Sequence, residues 1–255
     1  VFNLLHGRGG EDGALQGALR LYGIPVTGSG VLASALTMSK VQTKRIWQAV
    51  GLPTPAYALC RVEEWLDAEG KVMESRVEAL IEQVGLPMFV KPNREGSSLG
   101  MSRVVEAREF VAALTKAFEL DSEVLVERMI RGRELTCGVI GSKTLPLIEL
   151  KTPNEFYDFD AKYASGTTEY LCPAPLTPDL ARDISDLCWN AFDVVGAQGW
   201  GRVDVMIDEN DRPWLLEVNT TPGMTESSLL PKAAAQAGMT FEEVVWEILS
   251  QAKIA

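Results

Sequence analysis

The chain has 255 residues, with 24 Lys+Arg against 35 Asp+Glu for a formal charge of −11, and it is 46% hydrophobic and 23% charged. This is the composition of a globular protein long enough to bury a large core, and it excludes a disordered chain. The acidic balance excludes broad, sequence-blind binding to nucleic acid or to an anionic membrane, since both need a basic surface, while leaving room for a small basic pocket. The longest uncharged stretch, residues 21–39, is interrupted by Pro25 and three glycines, and a membrane span needs about 20 mostly apolar residues. No basic-then-apolar leader opens the chain. Cys60, Cys137, Cys172 and Cys188 are far apart, and His6 is the single histidine. Both facts argue against a zinc cluster and for reduced thiols in the cytoplasm.

In chain order, Val1–Leu5 reads as a buried strand. It starts without a Met or a cap, so the chain is expected to lack its beginning. A polar glycine loop and a short helix over 13–21 follow. Residues 39–50 are amphipathic, with Ser39 as N-cap and Gly51-Leu52-Pro53 as the stop. Strands are predicted over 56–60, 88–91, 102–105 and 124–127, and helices over 75–84 and 107–120. After Arg131-Gly132 the pattern changes. Strands over 134–140, 145–150, 203–207 and 214–218 predict an antiparallel sheet, with helices over 178–195, 229–237 and 241–252. The class is therefore mixed α/β (α+β). Residues 151–171 have little regular patterning but carry three tyrosines and two lysines, a composition that suits a lid better than a disordered loop.

Two nucleotide signatures fail. No G-x-x-x-x-G-K-[ST] is present, and Gly28-Ser29-Gly30-Val31-Leu32-Ala33 matches G-x-G-x-x-[GA] with neither a proper preceding strand nor a following acid. Three other segments carry chemistry. In 201–207 and 214–219, joined by the turn-rich Asp208–Arg212, strand alternation puts Arg202 with Asp204 and Glu217 with Asn219 on one face. Val203, Val205, Ile207, Leu216 and Val218 are then expected on the other. If Asp204 lies across from Glu217, two carboxylates, an amide and a guanidinium converge. Carboxylates that close repel unless a cation lies between them, and oxygen donors of this kind suit Mg²⁺; the alternative is a solvated hairpin face. In 90–101, a strand ending in Lys91 runs into Gly96-Ser97-Ser98-Leu99-Gly100, a loop able to lay amides and hydroxyls on phosphate. Lys40 and Lys162 are further candidate phosphate cations. In 124–134, an apolar strand leads to a charged turn that could serve as a hinge beside an adenine, with Glu134 able to accept ribose hydroxyls.

Together these segments resemble the ATP-grasp ligases, and among them the D-alanine–D-alanine ligases. The resemblance rests on five motifs in order: His6–Gly13, Thr27–Gly30, Lys91–Gly100, Trp200–Val205 and Glu217–Met224. It implies a partial N-terminal Rossmann-like domain over 1–30, a central ATP-grasp subdomain over 31–126, and a C-terminal one over 127–255 with a lid at 151–171. It further implies ATP with Lys40, Lys91 and Lys162 on its phosphates, Glu127, Arg128 and Ile130 beside adenine, and Glu134 on ribose. Asp204, Glu217 and Asn219 would hold two Mg²⁺, with Mn²⁺ able to substitute. Arg202 and the Gly223 amide would stabilise the oxyanion, Ser228 and Leu229 would meet the second D-alanine, and His6 the first. Tyr163 and Ser97 would orient a glutamate from about 30 or more residues expected before Val1, and Tyr163 favours a dipeptide over a depsipeptide product. The implied activity is ATP-dependent D-alanyl-D-alanine synthesis for peptidoglycan precursors, in a cytoplasmic protein often homodimeric in the family, with neither nucleic acid nor membrane as partner. The rivals are a D-alanine–D-lactate or glutathione-synthetase-like ligase and a non-catalytic ATP-binding fragment.

Overall fold

The computed structural model describes residues 1–151 and 168–254. Val1–Leu5 is not a strand. The Val1 carbonyl accepts from Thr27 N at 3.0 Å, but Asn3 N donates instead to the Thr27 hydroxyl at 3.2 Å, so no backbone ladder propagates. Three helices follow, α1 (Ala14–Leu21), α2 (Val31–Met38) and α3 (Lys40–Ala49). Helix α2 escapes a periodicity search because Val-Leu-Ala-Ser-Ala-Leu-Thr-Met has no charged face to set against its apolar one. Ser39 caps α3 as expected, its side chain accepting from Gln42 N.

The first sheet holds β1 (Tyr57–Arg61), β2 (Met88–Pro92), β3 (Ser102–Val104) and β4 (Glu123–Arg128), in the antiparallel order β1-β4-β2-β3. Helices α4 (Val62–Trp65), α5 (Val77–Val84) and α6 (Phe110–Phe118) belong to this half. Leu80, Phe110 and Leu114 from α5 and α6 pack with Met88, Val90, Val124 and Val126 from the sheet.

Met129-Ile130-Arg131 then leads into the second sheet. Its strands are β5 (Gly132–Ile140), β6 (Lys143–Thr144), β7 (Ile148–Lys151), β8 (Glu169–Leu171), β9 (Trp200–Asp208) and β10 (Pro213–Asn219). Their order is β10-β9-β5-β7-β8, with β6 paired to β5. The strand expected over 145–150 begins only at Ile148; Pro146 has no N–H for a ladder, and Leu145 N turns back to the Gly138 carbonyl. The expected lid is sheet at its edges, where Lys151 pairs with Glu169 and Leu150 with Tyr170; residues 152–167 lie outside the described residues.

Helix α7 (Pro178–Val194) starts with Thr177 as N-cap and Pro178 inside the first turn. Its Ile184, Cys188, Ala191 and Phe192 fall on one helical stripe and enter a core with Cys137, Val203, Val205 and Leu215. Each such large apolar side chain contributes roughly 1.5–3 kcal/mol on full burial. Trp47 of α3 joins the same core, its indole N–H donating to the Ala191 carbonyl at 3.0 Å. Thus α3 packs on the second sheet while its N-terminus presents Lys40 to the space between the sheets. Helices α8 (Leu229–Gln236) and α9 (Phe241–Ser250) close a further core around Trp200. Among the described residues no helix is long and apolar enough to cross a membrane.

Candidate active site

Between the sheets lies a cavity of about 400 Å³, a size suited to a small-molecule ligand. Lys40, Lys91, Ser97, Glu127, Arg128, Ile130, Glu134, Asp204 and Glu217, all singled out from the sequence, line it. The Gly/Ser loop forms one wall, with Ser97 and Ser98 at φ 52° and 58°. Residues that the sequence gives no role anchor that loop. The buried Asn93 side chain accepts from Val41 N at 2.9 Å and donates to Ser39 Oγ at 3.0 Å and Glu123 Oε2 at 3.1 Å. It thereby joins the root of the loop to the start of α3. Next to it, Asp121 accepts from Arg94 N at 2.8 Å and from both Nε and an NH2 group of the Arg94 guanidinium. Burial pushes the Asp121 carboxyl up, but the Arg94 bonds outweigh it and hold the group below its ordinary value.

Lys40 donates from Nζ to the Glu95 carbonyl at 2.7 Å and stands 3.4 Å from Glu217 Oε2. Lys91 donates to Glu127 Oε1 at 2.6 Å. Glu127, read from the sequence only as part of an adenine-side stretch, is 1% exposed and is also ion-paired to Lys44. Burial pushes the Glu127 carboxyl up, yet the two lysines prevail and hold it below the carboxylate norm. Lys44 escaped notice, although it stands four residues after Lys40 and so on the same side of α3.

The hairpin β9–β10 sets the acidic wall. Glu217 pairs in register with Asp204, and Asn219 with Arg202. A register shift between Leu215 and Glu217 changes one expectation: Leu215 enters the core, and Leu216 turns to the cavity. Asp204 accepts two bonds of 2.8 Å from Arg202, one of 3.0 Å from the Asn219 amide and one of 2.6 Å from the Thr136 hydroxyl on β5. Arg202 and Asn219 thus touch the cavity through Asp204.

Other expected residues lie off the cavity wall. His6 Nδ1 stands 3.9 Å from Glu11 Oε1, and Gly7 N donates to the other Glu11 oxygen at 2.5 Å. Burial pushes the Glu11 carboxyl up, the Gly7 bond and His6 pulling the other way, and both Glu217 and Lys40 act on it electrostatically. Ser228 precedes α8 and Leu229 opens it; Ser228 Oγ accepts from Thr225 N at 3.0 Å and sits against Gly223, where an added Cβ would lie 2.9 Å from it. Lys162 and Tyr163 fall outside the described residues.

Two cavity-lining carboxylates, one of them bonded to the Asn219 amide, fit a hard divalent cation such as Mg²⁺, which keeps waters and substrate phosphates among its ligands. Among the described residues no three His, Cys, Asp or Glu side chains form a metal cluster by themselves, so such an ion would depend on those added oxygens. Lysines and register-paired acids lining one cavity suit a polyphosphate substrate, whose chemistry proceeds by positioning and charge neutralisation.

Comparison with known proteins agrees with that geometry. The family profile described as D-ala D-ala ligase C-terminus matches residues 46–250. The chain is 50% identical over 251 residues to a D-alanine–D-alanine ligase of Chromohalobacter salexigens and 49% identical over 251 residues to one of Pseudomonas putida, in each case covering 98% of this chain and 76% of the relative. Among solved structures, a Bacillus anthracis D-alanine–D-alanine ligase complexed with ATP superposes with TM-score 0.80 at 32% identity, over 96% of this chain and 76% of that one. The VanG D-Ala:D-Ser ligase of Enterococcus faecalis does so with TM-score 0.87 at 32% identity, over 98% and 71%. A cavity between two antiparallel sheets, walled by lysines and paired acids, in a chain about half identical to the Chromohalobacter and Pseudomonas ligases places the protein in the D-alanine–D-alanine ligase family.

Proposed function

We propose that this chain joins two D-alanine molecules into D-alanyl-D-alanine, with ATP converted to ADP and phosphate. A carboxylate is a poor electrophile and must first be activated. A carboxylate oxygen of the first D-alanine attacks the γ-phosphorus and ADP leaves; the nitrogen of the second D-alanine then attacks the acyl carbon, loses its proton, and phosphate departs. Lys40 and Lys91 are assigned to the phosphates, together with Lys162. Arg128, Ile130 and the Glu127 backbone are assigned to adenine, and Glu134 to ribose. Arg202 and the Gly223 amide stabilise the oxyanion, His6 serves the first amino-acid subsite, and Ser228 and Leu229 serve the second. Asp204, Glu217 and Asn219 are the residues that would hold Mg²⁺, which would neutralise phosphate charge. Ser97 and Tyr163 belong to substrate positioning.

The observation that carries this reading is the convergence of Lys40 and Lys91 with the register-paired Asp204 and Glu217 on one cavity. The product serves peptidoglycan precursor synthesis, and a cytoplasmic homodimer is the assembly in keeping with the family. The match to a D-Ala:D-Ser ligase makes D-serine the acceptor to test beside D-alanine. Phosphate release from Mg·ATP, measured with and without D-alanine and with the organic product weighed by mass spectrometry, tests the proposal. D-alanine-dependent release with the dipeptide mass supports it, and ATP binding without such release overturns it in favour of a non-catalytic nucleotide module. A mixed D-alanyl-D-serine product at equal acceptor concentrations would move the specificity.

A further inference from the structure

The site leaves one buried cation without a task. Lys44 is 0% exposed and does not line the cavity. Its Nζ donates to Thr54 Oγ1 at 2.6 Å, approaches the Leu215 carbonyl at 3.4 Å and pairs with Glu127. Thr54 Oγ1 in turn donates to the same Leu215 carbonyl at 2.9 Å. Glu127 therefore lies between two ammonium groups, Lys91 in the cavity wall and Lys44 behind it.

The charges decide what this arrangement does. With Lys91 alone, the buried carboxylate would hold the charge of that cavity-lining lysine to itself, because an unpaired charge is expensive to bury. With Lys44 present, two cations share one anion, and the cluster carries a net positive charge at its cavity end. The Leu215 carbonyl adds a mechanical link. It sits on β10, two residues before Glu217, so Lys44 ties the strand that carries Glu127 in the first sheet to the acidic strand of the second.

We infer that Lys44 is a positioning residue for the nucleotide. It neutralises Glu127 from behind, leaves the charge of Lys91 to the bound ATP, and holds the two walls of the cavity at their working separation. This inference rests on the reading of the cavity as the ATP site.

The experiment compares the unmodified chain with Lys44→Met, Lys91→Met, the Lys44→Met/Lys91→Met and Lys44→Met/Glu127→Gln pairs, and Thr54→Val. It measures the Kd of a non-hydrolysable Mg·ATP analogue by calorimetry, the KM values for ATP and D-alanine, kcat and Tm. Lys44→Met is expected to weaken nucleotide binding and raise KM for ATP by about tenfold, with KM for D-alanine changed less than about twofold. Two further results are expected. The same substitution adds little once Lys91 is Met, and Glu127→Gln recovers part of the loss because it removes the stranded anion. Where Lys44→Met fails to fold, Thr54→Val decides, with KM for ATP raised by about threefold and KM for D-alanine held.

A lower Tm with unchanged nucleotide Kd overturns the inference, as does a loss of equal size in the Lys91→Met background. No nucleotide binding by the unmodified chain overturns the ATP reading itself. Binding that Lys44→Met leaves intact overturns only the role of Lys44.

Discussion

Asp204 and Glu217 show how neighbouring acids take different tasks from their surroundings. Asp204 is locked by Arg202, Asn219 and Thr136, whereas Glu217 is 29% exposed at the cavity and faces Lys40. Glu217→Gln keeps shape and removes charge, so Tm should change little while Mg²⁺-dependent kcat/KM falls by about 100-fold or more. A titration of rate against Mg²⁺ checks this, and wild-type turnover would refute the metal assignment. Asp121 supports the Gly/Ser loop through Arg94, and its carboxyl is held below the ordinary value of 3.8. A depressed acid contributes stability that is complete above its unfolded pKa and is lost as pH falls through the folded one. Asp121→Asn should therefore lower Tm at pH 7, with the gap from the unmodified chain closing below about pH 4. A gap of constant size from pH 7 to 3 would show that the Asp121 charge does not matter to the loop.

At the scale of elements, the entry into the second sheet depends on a residue without a side chain. Gly132 opens β5 at φ 148°, and an added Cβ would lie 1.9 Å from the Ile207 carbonyl oxygen of β9. Neither the dihedral nor the space admits alanine, and the obstacle is the backbone of β9, to which β5 pairs. Gly132→Ala should cost about 3 kcal/mol or more, roughly 6–12 °C in Tm for a chain of this size. Thermal denaturation checks it; a shift under about 2 °C would mean that β5 and β9 separate readily. The elements themselves were mostly readable. Alternation in Val203–Ile207 and the stripe Ile184-Cys188-Ala191 locate β9 and α7 directly. Helix α2 and the late start of β7 were not readable in that way, because one has no polar face and the other turns on the missing N–H of Pro146.

For the molecule as a whole, a chain of net charge −11 offers an anionic substrate a cavity into which Lys40, Lys91, Arg128 and Arg133 are set. Saturating Mg·ATP should bridge both walls. At 100 times Kd it would stabilise the fold by about 2.7 kcal/mol, a Tm rise of roughly 5–11 °C, and a chelator should abolish most of that rise. Differential scanning fluorimetry measures both, and a rise that survives chelation would argue that the lysines bind nucleotide without a metal. The sequence alone determined the hairpin that carries Asp204 and Glu217, the Gly/Ser loop after Lys91 and the helix that brings Lys40, because alternation, capping and turn residues are local signals. It could not determine that Glu127 turns inward to Lys44, that Asn93 joins the loop to α3, or that Leu216 leaves the core at a bulge. Those depend on which groups are left to pair once two sheets face each other. Only the tertiary structure decides that, since the cost of an unpaired buried charge or amide is set by distant parts of the chain.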